Sequence, residues 1–477
     1  MKGPSLTDLA LLAPELILVG AALALILFAR RIKNGSFVTA GTIVVAVTSA
    51  VFSGWIWADL PDAGIQFAFT DMIAVDRYSL FFKILIAASL AMCTLMSERR
   101  VDAGDIQPAE FHALLLLAST GMMLAVSALN LLTLYLGLEL MTLCSYILVG
   151  ITVNKPTANE SAIKYFLLGS FASALFLYGI SLTYGITGAT DFVAIYNAIS
   201  EHGLVNNPIL LAAIGLLISG LAFKIAAFPF HAWAPDAYQG ASAPVAAFLA
   251  TASKAAGIAA LGRVCLFALY SEAQVMSIIL IGLASLSIIV GSIIALSQTE
   301  MKRLLAYSSI AHAGYALLGL IPLTPEGTSA TMTYVFLYVF MTLGAFSVVI
   351  ALGPRGEKLD GYQGLAIQRP GIAALMLLFL LALTGIPPTA GFVAKFVVIE
   401  TTIAAGYWGL AIVAVLCSVI SAFVYLRIAV LMYMNEPQET TPSRFPLAIT
   451  AALAIAALVT VFGGLFPSLL SVWTAVP

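Results

Sequence analysis

Charge is what this sequence has least of. Asp, Glu, Lys and Arg make up 9% of its 477 residues and hydrophobic residues 61%, against about 25% and about 45–50% in an ordinary soluble domain. That balance excludes a soluble globular protein. The few charges nearly cancel, 21 Lys and Arg against 23 Asp and Glu for a formal net charge of -2, so there is no basic surplus to hold nucleic acid or an anionic surface. Cysteine is scarce: Cys93, Cys144, Cys265 and Cys417 stand singly in apolar stretches with no C-x-x-C pair, and read as small packing residues, not disulfides or ligands. His112, His202, His231 and His312 are equally dispersed, so the three or four ligands of a zinc, haem or iron–sulfur site do not gather and no bound metal is expected. Segments alternating in polarity, the mark of a transmembrane barrel, are missing too.

Uninterrupted apolar runs take their place, LLAAIGLLISGLAF and IIVGSIIAL among them, and define an all-α, polytopic membrane bundle. Cutting at charged, Pro-rich or Gly-rich breaks predicts about 14 transmembrane helices, near residues 10–29, 37–58, 73–96, 111–128, 131–152, 161–186, 209–228, 244–268, 275–298, 302–322, 329–352, 371–404 with an internal break, 407–434 and 446–470. Recurrent spans imply a single membrane domain over 1–477. The run Leu16–Phe28 precedes Arg30, Arg31 and Lys33 without a small-residue cleavage site, and reads as a retained first helix, not a signal peptide.

Fourteen helices give a topology that the basic residues test, because cytoplasmic loops collect Lys and Arg. With the N-terminus outside, the inner loops hold Arg30, Arg31, Lys33, Arg99, Arg100, Lys155, Lys302, Arg303, Arg355, Lys358, Arg369 and Arg444, and the outer side only Lys2 and Arg263. Both termini are therefore expected outside. Seven basic residues remain within spans: Arg77, Lys83, Lys164, Lys224, Lys254, Lys395 and Arg427. A charge at the bilayer centre costs on the order of 3 kcal/mol on insertion scales, so such residues are paired, hydrated or part of an ion path. For Arg77, Lys83 and Arg427, snorkelling or structural pairing is the simpler reading.

Glu139 lies nine residues beyond Asn130 in NLLTLYLGLELMTLCSYILV, about 14 Å into its helix and near the midplane. A carboxylate there stays ionised only beside a cation, so a lysine partner is one reading and a protonated carboxyl bonded to a neighbouring helix the other. The stretch FKIAAFPFHAWAPDAYQGASAPVAAFLATASKAAG, residues 223–257, joins two lysines to a helix broken at Pro229 and Pro235. Irregular backbone at membrane depth is tolerated only where protein buries it or it lines a hydrated cavity, and in transporters such breaks surround the ion site. Lys224 precedes the break, and Lys254, ten residues past Pro244, is about 15 Å deep in the next helix. A second break, LALTGIPPTAGFVAKFVVIETT, sets Pro387 and Pro388 before Lys395.

Helices four to eight and nine to thirteen thus form blocks of five with a break at the fourth position of each. An odd number of spans reverses orientation, so the blocks are expected to be two inverted five-helix repeats with two discontinuous helices. The expected division is an N-terminal three-helix part (1–110), the repeats (111–270 and 271–435) and a C-terminal helix (436–477). The helix matching that of Glu139 is AYSSIAHAGYALLGL, with His312 and no carboxylate. His312 either relays protons or is a buried structural histidine. Lys164 either joins the path or forms an i to i+4 pair with Glu160, and His231 either hydrates the break or satisfies its freed carbonyls.

With these residues in view, the chain resembles the antiporter-like membrane subunits of respiratory complex I, the proton-pumping NADH:quinone oxidoreductase. The resemblance covers nearly the whole chain and rests on the 223–257 stretch, on LGLELMTLCSYILVG and on KRLLAYSSIAHAGYALLGL. It implies that Glu139 and Lys224 interact in a first half-channel, that Lys254 is the central connecting lysine, and that Lys395 lies toward the outer exit. Lys164 matches a further family lysine. Lys395 separates the chain from subunit M, which has a glutamate there, and the lack of a long C-terminal lateral helix separates it from subunit L. The implied function is proton translocation coupled to NADH oxidation and quinone reduction in partner subunits. NADH, FMN, iron–sulfur clusters and quinone would then belong to the complex and no cofactor to this chain, which has no nucleotide, flavin or quinone motif. The implied partners are bilayer lipid and the other membrane subunits, including subunit M and the small subunits K and J, with no nucleic acid. Without a transit peptide, the implied location is a bacterial inner membrane with both termini periplasmic. A subunit of a multisubunit sodium/proton antiporter is the alternative, and a scaffold with idle lysines a third reading.

Overall fold

With no water to satisfy peptide groups, an apolar run about twenty residues long must close its own hydrogen bonds as a helix. In the computed structural model, which describes residues 5–29, 34–61, 64–102, 106–437 and 446–474, they do so. The first part of the chain forms α1 (Ala13–Phe28), α2 (Gly35–Ala58) and α3 (Arg77–Asp102). The first block comprises α4 (Pro108–Ser127), α5 (Leu131–Gly150), α6 (Pro156–Thr187), α8 (Pro208–Lys224) with α9 (Trp233–Gly240), and α10 (Ala243–Ala268), and a short amphipathic α7 (Phe192–Glu201) precedes α8. The second block comprises α11 (Ala273–Ala295), α12 (Met301–Leu320), α13 (Pro325–Leu352), α14 (Pro370–Thr384) with α15 (Ala390–Ala404), and α16 (Trp408–Met434); α17 (Leu447–Leu465) follows. Ten of these helices are long and apolar enough to cross a membrane. Adding α1, α12 and the broken pairs α8/α9 and α14/α15 gives the fourteen spans expected among the described residues.

Polar residues set where helices begin. Asn34, Asn130, Asn207 and Thr324 accept backbone N–H groups at the starts of α2, α5, α8 and α13, as N-caps should. Pro108, Pro156, Pro325 and Pro370 occupy first turns, where a missing N–H costs nothing. Pro235 belongs to this group: it lies in the first turn of α9 and does not break a helix, and the interruption itself runs over residues 225–232.

The two blocks pack alike. Gly121 of α4 lies against the backbone of Gly137 and Met141 on α5, and Gly291 of α11 lies against Tyr307 and Ala311 on α12, where any Cβ would collide. Helices associate in lipid through such small-residue contacts. Alanine-rich α10 runs buried through the centre, only Leu266 and Phe267 near its end being partly open, with π-helical turns at Leu249–Ser253 and Val264–Ala268 bracketing Lys254–Arg263.

Three features depart from the expected layout. The span expected from residue 73 begins as a strand: Ile73–Asp76 pairs antiparallel with Ile65–Ala68, and helix starts only at Arg77. Arg263 is not an outer-loop charge but 1% exposed, donating to Asp76 at 2.5 and 2.8 Å and to the Val126 carbonyl at 3.2 Å. Lys302 is likewise buried, reaching the Gln239 and Ala241 carbonyls at 2.7 and 3.0 Å, where a cation complements the C-terminal end of α9. Lys2, Arg30, Arg31, Lys33 and Arg444, and the side chains of Arg99 and Arg100, lie outside the described residues.

Of the three basic residues given the simpler reading, Arg427 donates to the Leu296 and Gln298 carbonyls at 2.9 and 2.8 Å, beyond the end of α11. Lys83 of α3 meets Glu15 of α1 at 2.7 Å, with side chains 0% and 3% exposed. Breaking such a pair leaves an uncompensated charge, whereas replacing both partners with apolar residues is often neutral. Lys83→Met is expected to destabilise the detergent-solubilised protein by about 3–5 kcal/mol, and the double variant Lys83→Met/Glu15→Leu to recover most of that loss in thermal unfolding.

Candidate functional site

Both broken spans end a half-helix beside a lysine. Lys224 is the last residue of α8, 5% exposed. Its Nζ donates to Thr142 Oγ1 at 2.7 Å and lies 3.6 Å from Glu139 Oε1. Thr142 and Glu139 are three residues apart on α5 and so share a face. Glu139 also accepts the Ser173 hydroxyl from α6 and is the more open partner, its side chain 20% exposed against 4% for Lys224. Of the two readings open for Glu139, the geometry has the lysine partner.

Lys254 lies in the buried middle of α10, 1% exposed, and among the described residues forms no ion pair with a carboxylate. Its Nζ donates to the Ser309 carbonyl at 2.7 Å and to the Ser309 hydroxyl at 2.8 Å. Ser309, His312 and Tyr315 follow at intervals of three along α12 and form one stripe. His312 Nδ1 pairs with the Tyr334 hydroxyl at 2.6 Å, and its ring stacks on Tyr338 with centroids 5.1 Å apart. Tyr315 presents its ring to Lys395 Nζ, 4.5 Å from the centroid, a cation–π contact. Lys395 donates to the Thr384 carbonyl, freed at the end of α14, and to Ser418 Oγ, both at 2.8 Å. The Phe228–Pro229 and Pro387–Pro388 bonds in the two breaks are cis.

The geometry thus orders Glu139 and Lys224, then Lys254, His312 and Lys395, across both blocks. Lys164 stands apart from that buried line. It is half exposed, 2.7 Å from Glu160 and 3.3 Å from Asp236, so it has the i to i+4 partner and a second carboxylate on α9. Asp236 also receives Arg303 of α12 at 2.7 Å, and this charged cluster clamps α9 between α6 and α12. His231 sits half-buried in the first break, its ring stacked on Phe228 at 5.2 Å. Thr142, Ser173, Ser309, Ser418 and the tyrosines are not singled out by the sequence reading; the three-residue spacing of Thr142 from Glu139, and of Ser309 and Tyr315 from His312, is the signal that could find some of them. Among the described residues no three or more His, Cys, Asp or Glu side chains group as a metal site would require.

Two spans broken beside buried lysines, in successive five-helix blocks, define a membrane protein of the antiporter-like class. Residues 128–421 match the family described as NADH:quinone oxidoreductase/Mrp antiporter, TM. The chain is 42% identical to NADH-quinone oxidoreductase subunit N of Desulfovibrio desulfuricans, over 98% of this chain and 97% of that protein. It superposes on a chain of respiratory complex I from Thermus thermophilus with bound aureothin at a TM-score of 0.82 and 34% identity, covering 96% of this chain and 98% of the other. A chain of the Mrp complex from Dietzia sp. DQ12-45-1b shares the fold, with a TM-score of 0.87 at 21% identity over 98% and 96% of the two chains. The chain belongs to the NADH-quinone oxidoreductase subunit N family, the branch toward which Lys395 points.

Proposed function

We infer that this chain is a proton-translocating membrane subunit of NADH:quinone oxidoreductase, moving protons across the membrane while partner subunits oxidise NADH and reduce quinone. The observation that carries this is the Glu139–Lys224 pair at the head of a buried line of ionisable groups. Desolvation weakens an ammonium's hold on its proton and a nearby carboxylate strengthens it. Parting and rejoining Glu139 and Lys224 therefore changes how firmly a proton is held at one end of the line, and Lys254, His312 and Lys395 carry it onward. Lys164 and His231 serve the side of the first break. The blocks 111–270 and 271–435 are inverted repeats, each supplying a half-channel, flanked by 1–110 and 436–477. The complex sits in a bacterial inner membrane with both termini of this chain periplasmic. Its neighbours are subunit M and the small subunits K and J, and the redox cofactors reside in other subunits.

The sodium/proton antiporter reading draws on the fold shared with the Mrp chain. Proton uptake and NADH:quinone turnover, measured together in sealed vesicles holding the complex that contains this chain, separate the two. Uptake is expected to follow NADH oxidation and to stop with it. Absence of the chain from any NADH-oxidising complex, with proton movement driven by a sodium gradient, would overturn the inference.

A further inference from the structure

Among the described residues, no side-chain hydrogen bond joins the Lys224 pair to Lys254, yet one polar residue is linked to both through its neighbours. Tyr238 lies on α9, just past the break that follows Lys224. Its ring meets Trp233 edge-on with centroids 6.3 Å apart, and the Trp233 indole donates to the carbonyl of Phe223, the neighbour of Lys224, at 2.9 Å. The Tyr238 hydroxyl is fully buried and, among the described residues, makes no hydrogen bond within 3.5 Å. It faces the Ser309 side chain, whose hydroxyl accepts Lys254 at 2.8 Å. Tyr338 faces Ser309 too, donating to the Ala250 carbonyl at 3.0 Å and stacking on His312. Three groups from α9, α10 and α13 thus converge on one serine of α12.

Packing alone does not explain a hydroxyl whose polar neighbour, Ser309, lies beyond a close hydrogen bond. A buried, unpaired O–H costs free energy, and phenylalanine would fill the same space without it. A phenol is both donor and acceptor, which suits it to pass on a proton without keeping one. We propose that the Tyr238 hydroxyl relays protons from water in the break after Lys224 to the Lys254–Ser309 junction. A protonated water gives its proton to the phenol oxygen as the phenol's own proton passes to the Ser309 hydroxyl, and that hydroxyl, losing one O–H bond as it gains another, gives its proton to the neutral Lys254 amine. One O–H bond forms on the phenol as another breaks, the donor is left as water, Lys254 gains an N–H bond, and rotation of the two hydroxyls restores the start. The relay rests on the proton-path reading above.

The test uses the whole complex in sealed vesicles and compares Tyr238→Phe, Tyr238→His and Lys254→Ala for NADH-driven proton uptake, NADH:quinone turnover and thermal stability. Tyr238→Phe is expected to melt no lower than the natural protein while uptake falls by about a hundredfold, the low side of what a positioned proton-transfer group contributes. Tyr238→His, whose imidazole accepts on one nitrogen and donates from the other, is expected to restore uptake. Natural uptake in Tyr238→Phe beside loss in Lys254→Ala would overturn the relay and leave the path standing. Natural uptake in both would overturn the path itself. Uptake lost together with thermal stability in Tyr238→Phe and unrestored in Tyr238→His would make Tyr238 a packing residue and also overturn the relay.

Discussion

Lys224→Ala is expected to reduce NADH-driven proton uptake by about a hundredfold or more in a complex that still assembles, the range in which loss of a positioned proton-transfer group falls. Lys224 ends α8, and its Nζ reaches Thr142 and Glu139. Alanine removes the proton carrier without disturbing the helix, since it is the best helix former and the break follows anyway. Glu139→Gln tests the other half. It keeps an acceptor for Ser173 but deletes the charge, so it should lower uptake through loss of the switch while Lys224 stays in place. Residues that act as one unit give non-additive effects. The double variant Lys224→Ala/Glu139→Gln should therefore be no worse than the more damaged single. Losses that multiply would show two independent contributions, and unchanged uptake in both singles would remove the pair from the path. NADH:quinone turnover and the amount of assembled complex, measured on the same vesicles, separate loss of pumping from loss of the protein.

What the sequence reveals and conceals follows one physical line. The fourteen spans are legible because each apolar run is long and each interruption is charged, proline-rich or glycine-rich. The Glu139–Lys224 meeting is legible only in part: a midplane carboxylate calls for a cation or a proton, and it is the family resemblance, not the spacing, that implies Lys224. Lys254 and Lys395 draw attention by their depth, but their partners do not, since Ser309, Ser418 and the Thr384 carbonyl look like any other small residue or peptide group in a helix. Charges at the edge of an apolar run are where the reading fails. Lys302 resembles a loop residue, yet its long stem carries the ammonium back to the carbonyls that end α9. The hairpin Ile65–Ala68 and Ile73–Asp76 escapes because four-residue strands have too few alternations to separate from the apolar run that follows.

Arg263 is the costliest of those edge charges to misread, because its removal should dismantle the structure that aligns the buried line. Its guanidinium makes two hydrogen bonds to Asp76, at 2.5 and 2.8 Å, and lies over the rings of Tyr78 and Phe267 at 4.9 and 5.2 Å. Asp76 also accepts the Ser79 N–H at 2.8 Å, so one carboxylate fixes both the start of α3 and the end of α10. Lys254 lies on that same helix, nine residues before Arg263, and the pair thereby sets the rotation at which Lys254 meets Ser309. Arg263→Leu strands a buried carboxylate, and such losses cost about 3–5 kcal/mol, a large share of the total stability of an ordinary fold. The expected result is little assembled complex on native gels and a lowered melting temperature in what remains. Arg263→Lys keeps the charge but not the fork that serves both carboxylate oxygens and the Val126 carbonyl, and should fall between the leucine variant and the natural protein. Asp76→Leu/Arg263→Met, which buries no charge, should assemble better than either single change. Normal assembly and melting of Arg263→Leu would mean that α10 holds its register by packing alone, through its small residues and their close neighbours, and that the ion pair adds nothing to it.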